Sequence, residues 1–153
     1  WYTGAARLQK TMTPDELDQL DPGFRDVGRE GSEIHLNQYL DAVSERELAG
    51  TKLNTFFDNY DLLLTPTLPI TAFDAGTEVP TGSGMDRWTR WTPFSYPFNL
   101  GRHPAASIPC GLCSNGLPAG LQIVGPMNCD GHVLAASAAY EATNPIRMPS
   151  LED

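Results

Sequence analysis

Positive charge is scarce in this sequence. Ten Lys and Arg stand against nineteen Asp and Glu, for a formal net charge of −9, and the basic residues are scattered from Arg7 to Arg147 without a stripe or cluster. Nucleic acid is therefore not an expected partner, because its recognition rests on concentrated positive charge. Lysine is rarer still, with Lys10 and Lys52 alone, and neither lies near a Gly/Ser-rich run. No apolar run is long enough to span a bilayer, so no membrane association is expected either. Three cysteines, an odd number, do not suggest a secreted disulfide framework, and a reducing cytoplasm is the expected location. Charged residues make up only 19% of the chain, low for a free-standing soluble domain, which hints at surface meant to be covered. The chain opens Trp1-Tyr2-Thr3-Gly4 without a Met or a charged-then-apolar leader, consistent with a piece of a longer polypeptide.

What is present reads as alternating helical and extended segments. Thr13-Pro14-Asp15-Glu16 predicts a helix start, with Thr13 as cap, Pro14 at the first helical position and Glu16 placed for a capping box. That helix is short, since Asp21-Pro22-Gly23 follows, and a Gly-containing linker then leads to Ser32 as the cap of a longer helix. Leu36, Tyr39, Leu40, Val43, Phe56, Phe57 and Tyr60 recur along it at three- and four-residue spacing, and Gly50 is a place for a bend or break. Leu62-Leu63-Leu64-Thr65-Pro66 is too short for a helix and fits a buried strand. Residues 69 to 93 read as a long loop punctuated by Gly and Pro, of a length that usually serves a purpose. Ala105 to Pro109 and Leu121 to Val124, separated by Asn115-Gly116, predict an antiparallel pair. Asp130-Gly131 opens an alanine-rich helix to Glu141, with Val133, Leu134, Ala138 and Tyr140 suited to packing, and the tail from Asn144 reads as extended.

The stretch from Tyr96 to Pro126 carries the most specific pattern. Pro97, Asn99, Leu100, Pro104, Ala105, Ser107, Pro109 and Gly111 fill its first half, and Gly116, Leu117, Pro118, Gly120, Leu121, Gln122, Gly125 and Pro126 its second. This block resembles the C-terminal block of the amidase-signature family, as does Asp61 to Thr67 ahead of the long loop. With the final helix, the resemblance covers roughly residues 35 to 142. Fixed glycines and prolines within a strand pair also describe, independently, a backbone that must turn sharply or approach another segment closely. One departure is Arg102-His103 before Pro104, where the family usually has a small residue and then a branched apolar one. This pair could face solvent, make a structural hydrogen bond, or read an acidic substrate.

The resemblance implies a serine nucleophile, a second serine in a cis peptide that relays the proton, and a lysine base, set in a Gly/Ser-rich signature that also forms the oxyanion hole. No such signature occurs here, so the chain is expected to be, over residues 1–153, the C-terminal portion of a single amidase-signature domain that contributes no catalytic residue. The implied fold is α/β, a mixed sheet flanked by helices. The implied substrate is a small-molecule amide, and the implied partner is the upstream catalytic part of the same polypeptide. No cofactor is implied. Thr65, Pro66 and Thr67 at the strand end, with Trp91, Thr92 and Phe94 before the Tyr96 block, are the candidate substrate-binding residues. An uncovered sheet face or edge would carry a tendency to form homodimers or aggregate.

Rival readings exist. Cys110, Cys113, Cys129 and His132 have the spacing of a four-ligand zinc site, and Cys110-Gly111-Leu112-Cys113 that of a redox pair. The strand-end position of the first pair and the turn after Cys113 favour plain thiols and no metal. An amidotransferase A-type subunit shares the same block, and a non-enzymatic α/β binding module is the remaining class-level alternative.

Overall fold

The computed structural model describes residues 1–145; the predicted extended tail lies, from residue 146, outside the described residues. These residues form two compact units, Trp1–Glu45 and the residues from Arg46 onward.

The first unit is helical. Helix α1 (Tyr2–Gln9) packs against α3 (Pro22–Ser32), and the short α2 (Pro14–Asp18) lies between them in sequence. Helix α2 starts as predicted: the Thr13 N–H donates to Glu16 Oε2 at 2.7 Å and Thr13 Oγ1 accepts the Glu16 N–H at 3.4 Å. The Thr13 N–H and, at 2.9 Å, the Thr13 hydroxyl, both donating to the Glu16 carboxylate, hold it below its ordinary pKa. The predicted linker after Asp21 is instead helix α3. Asp21 caps it by accepting the Phe24 N–H at 3.0 Å, and Pro22 occupies its first turn. Its glycines mark contact, not flexibility, because side-chain carbons at Gly28 and Gly31 would run into the Gln9 side chain and the Tyr2 carbonyl. Gln9 Nε2 also donates to the Phe24 carbonyl at 2.7 Å, tying α1 to the start of α3. Ser32 is accordingly the last residue of α3, not a cap.

The long helix, α4 (Leu36–Phe57), begins beyond the predicted Ser32 cap and runs through Gly50. None of its residues is buried, and Leu36, Tyr39, Leu40 and Leu48 all stand exposed. The apolar spacing read from the sequence is thus left open over Leu36, Tyr39, Leu40 and Leu48, while Phe57 at the helix end stacks on His103. Tyr60 lies past the helix end and stacks on Phe56 at 4.5 Å.

In the second unit, β1 (Leu63–Pro66), β2 (Ala105–Leu112) and β3 (Pro118–Val124) form a sheet of order β1-β3-β2 in which both pairings are antiparallel. The predicted hairpin is β2–β3. Gly116, at φ +80°, takes the left-handed position in its turn, and Cys113 N–H to Leu117 O at 2.8 Å closes it. An irregularity between Pro109 and Gly111 shifts the register at Cys110. The expected burial of β1 does not hold: it pairs on one side only, its residues alternate in burial and Leu64 is 58% exposed.

One sheet face carries the core. Ile108 and Ile123 pack with Val133 of α6 (Asp130–Thr143), joined by Leu62, Ala106, Leu121, Ala136 and Tyr140. The inward stripe of α6 is therefore Val133, Ala136, Ser137 and Tyr140. Leu134 and Ala138, predicted to pack, point away, with Leu134 66% exposed. A short helix, α5 (Tyr96–Gly101), precedes β2 without any forewarning in the sequence; Arg102 ends it in the left-handed conformation at φ +61°. Residues 69 to 93 form the predicted loop, broken only by a single helical turn at Trp88–Arg90. Among the described residues, no helix is long and apolar enough to cross a membrane.

Candidate functional site

The other sheet face carries an apolar row, Leu63–Val124–Ala105, and beside it a polar one. The register sets Thr65 of β1 opposite Gln122 of β3, and Gln122 opposite Ser107 of β2, so three polar side chains form one row across the three strands. Gln122, on the central strand, is 6% exposed. Its Nε2 donates to Thr65 Oγ1 at 2.8 Å and to the Phe94 carbonyl at 2.9 Å. Two residues along, Thr67 Oγ1 and Ser107 Oγ share a hydrogen bond of 2.7 Å over Gly120, where a side chain would collide with both. The result is a row of hydroxyls and one amide, with no formal charge. It can hydrogen-bond a neutral polar group, and it holds no group able to act as general base near neutral pH.

The six sequence candidates separate into two sets. Thr65, Thr67 and the Phe94 carbonyl come together on this face, the first and last joined through Gln122, while Pro66, paired with Leu121, is exposed on the opposite face. Trp91 and Thr92 sit within the loop's own packing. Trp91 Nε1 donates to the Glu78 carbonyl at 2.9 Å and its ring meets Phe73 edge-on at 5.5 Å. Thr92 is buried and its hydroxyl points to the Trp88 carbonyl at 3.5 Å. Sequence reasoning placed Gln122 and Ser107 in the family-like block but did not name them as site residues. A strand-central Gln between Leu121 and Ile123 was the available signal, since an amide placed there needs partners.

Arg102 and His103 part company. Arg102 is exposed at the end of α5, whereas His103 is buried, stacked on Phe57 at 5.4 Å, with Nε2 3.1 Å from Asn54 Oδ1. Burial pushes the His103 pKa down, and the Gly101 backbone beside it works weakly the other way. Its Nδ1 makes no hydrogen bond of acceptable geometry among the described residues. His103 is thus a packed structural residue.

The cysteines are free thiols: Cys110 is exposed on β2, Cys113 lies at the hairpin turn and Cys129 immediately precedes α6. Among the described residues no three His, Cys, Asp or Glu side chains converge to hold a metal ion. An open groove of about 560 Å³ in the helical unit is lined by Gln9, Lys10, Arg25, Asp26 and Arg29; Arg25 and Arg29 are already paired with Asp18 and Asp26 at 3.2 and 2.9 Å.

With this geometry in place, comparison with known proteins defines the family. The amidase family model matches residues 6–134, and the chain belongs to that family. The A-type subunit of glutamyl-tRNA(Gln) amidotransferase from Brevibacillus brevis is 42% identical over 105 residues, 69% of this chain and 21% of that protein. A solved amidase superposes with a TM-score of 0.81 at 31% identity, covering 94% of this chain and 33% of the amidase. A bacterial aryl acylamidase of the amidase-signature enzymes gives 0.74 at 30%, covering 94% and 31%. The α/β architecture is therefore that of the amidase-signature fold. The chain spans about a fifth of that curated relative and about a third of the solved enzymes it matches.

Proposed function

We propose that the chain is the C-terminal portion of a cytoplasmic enzyme that hydrolyses a carbon–nitrogen amide bond, with the serine nucleophile, relay serine and lysine base upstream in the same polypeptide. The polar row Thr65–Gln122–Ser107, lying within the stretch matched to the amidase family, carries this reading. In it, the hydroxyls of Thr65 and Thr67 and the loop around Phe94 form one wall of the site for a neutral amide, and Pro66, Trp91 and Thr92 support that wall. The exposed apolar residues of α4 and the one-sided pairing of β1 fit surfaces that the upstream part covers, or that a second copy would cover if it were absent.

In such an enzyme the serine attacks the amide carbonyl, the lysine takes its proton through the second serine, and backbone amides receive the developing oxyanion. This segment's share is to bind and orient. The test is to assay benzamide hydrolysis by the isolated chain and by the full-length polypeptide. Turnover by the full-length protein and none by the segment is expected; turnover by a clean preparation of the segment alone would refute the division of labour. The 42% identity to the A-type component of an amidotransferase favours a second reading, in which the full-length protein releases ammonia from glutamine for a partner. Hydrolysis of L-glutamine in preference to benzamide would select it.

A further inference from the structure

We propose that Gln122 is a positioning residue that locks the returning end of the long loop to the end of β1, so that the two halves of the candidate substrate wall move as one. The inference deepens the amide-hydrolase reading and rests on it for the choice of substrate, but its structural part can be tested separately.

Gln122 occupies a place that disfavours it. It sits on the central strand, 6% exposed, between Leu121 and Ile123 and two residues from the fully buried Val124. Burying an amide costs free energy unless its hydrogen bonds are replaced, and a Leu or Met would fill the same space without that cost. The replacement bonds go to two otherwise separate segments. One N–H reaches Thr65 Oγ1 at 2.8 Å, the other the Phe94 carbonyl at 2.9 Å.

The direction of each hydrogen bond in this network is determined by its members. A backbone carbonyl can only accept, so the NH₂ group of Gln122 must face Phe94. Thr65 Oγ1 donates its own proton to the Pro66 carbonyl at 3.0 Å, which leaves a lone pair for Gln122. The route Gln122 → Thr65 → Pro66 thus runs along the strand end, and the Phe94 carbonyl hangs from the same nitrogen. Phe94 lies outside any strand ladder, in the irregular stretch between the helical turn at Trp88–Arg90 and α5. The more distant part of the loop is held by its own contacts, Trp91 to Glu78 and Phe73 to Trp91. A loop braced within itself and pinned to the sheet at its return is set in position by the scaffold beneath it.

The experiment uses the full-length polypeptide carrying Gln122→Met, which keeps the volume and removes both donors. Hydrogen exchange should accelerate at the amides of Thr92, Phe94 and Ser95 by about five- to tenfold, while β2, β3 and α6 keep their protection. With benzamide or L-glutamine as probe, KM should rise by a similar factor and kcat fall by a smaller one, the signature of lost positioning of bound substrate. If Gln122→Met does not fold, Thr65→Val removes one of the two acceptors while leaving the bond to Phe94, and a smaller acceleration, about two- to threefold, is expected at Phe94 and Ser95. Unchanged exchange at Thr92, Phe94 and Ser95, or acceleration spread evenly through the sheet and α6, would overturn the proposal. Failure of the full-length protein to hydrolyse either probe would overturn the amide-hydrolase reading, and the local exchange result would still decide the role of Gln122.

Discussion

Replacing Gly120 with Ala tests whether the polar face is as tightly assembled as its distances indicate. The added methyl carbon would lie 2.7 Å from Thr67 Oγ1, 3.0 Å from Thr67 Cβ and 3.1 Å from Ser107 Oγ. The two hydroxyls are bonded to each other at 2.7 Å, so turning either away sacrifices that bond. The Thr67 Cβ is the harder obstacle, because moving it means moving a backbone whose N–H donates to the Gly120 carbonyl at 2.9 Å. Overpacking of this kind costs about 1–3 kcal/mol, and the lost hydroxyl pair about 1 kcal/mol. Relief of glycine's conformational freedom offsets about 0.5–1 kcal/mol. The net expectation is a destabilisation of about 1–3 kcal/mol, read as a lower urea midpoint by tryptophan fluorescence. Gly131→Ala is the matched control in the same unit. It makes the same chemical change in α6, where nothing lies within 4 Å, and should stabilise slightly. A Gly120→Ala midpoint at or above that of the unsubstituted protein would refute the close approach on which the face depends.

Two other outcomes follow from the same structure. Val124, 0% exposed, should lose about 2–3 kcal/mol on replacement by Ala, from the lost transfer energy and the cavity left behind; a loss below about 1 kcal/mol in urea unfolding would mean the sheet collapses around the gap. His103 should make stability fall in mild acid. Burial disfavours its charged form, so the folded protein binds the proton less tightly than the unfolded chain, whose histidine titrates near 6.5. Its contribution is fully present above that pH and is lost as pH falls through 6.5 toward the depressed folded value. Comparing unfolding at pH 7.5 and 5.5, a His103→Asn variant should lose less stability than the parent, and equal losses would remove His103 as the cause.

The elements legible in the sequence were those whose signals are local. The capping box at Thr13–Glu16 and the Asn115-Gly116 turn need only a few neighbouring residues, and both stand where they were predicted. Residues 22–32 read as a linker because Gly28 and Gly31 look like helix breakers in isolation. Against α1 they are the residues that permit contact. Helix α5 is silent for a related reason, since a six-residue helix opening Tyr96-Pro97 carries no periodicity to detect. Of the candidate site, Thr65, Thr67 and Phe94 were named from the family resemblance at the strand end and before the Tyr96 block, whereas Gln122 and Ser107 are set beside them by strand register.

The order of residues by itself determined the Asn115-Gly116 turn, the Thr13–Glu16 cap, the antiparallel pair and the membership of a family, because these depend on short-range sterics and on spacings that survive unfolding. Which residues share a row across the sheet, that Leu134 points outward, and that one amide ties Thr65 to Phe94 were decided by the tertiary structure. Strand pairing brings together residues as far apart in sequence as Leu63 and Val124, and no local rule encodes which of them will share a row.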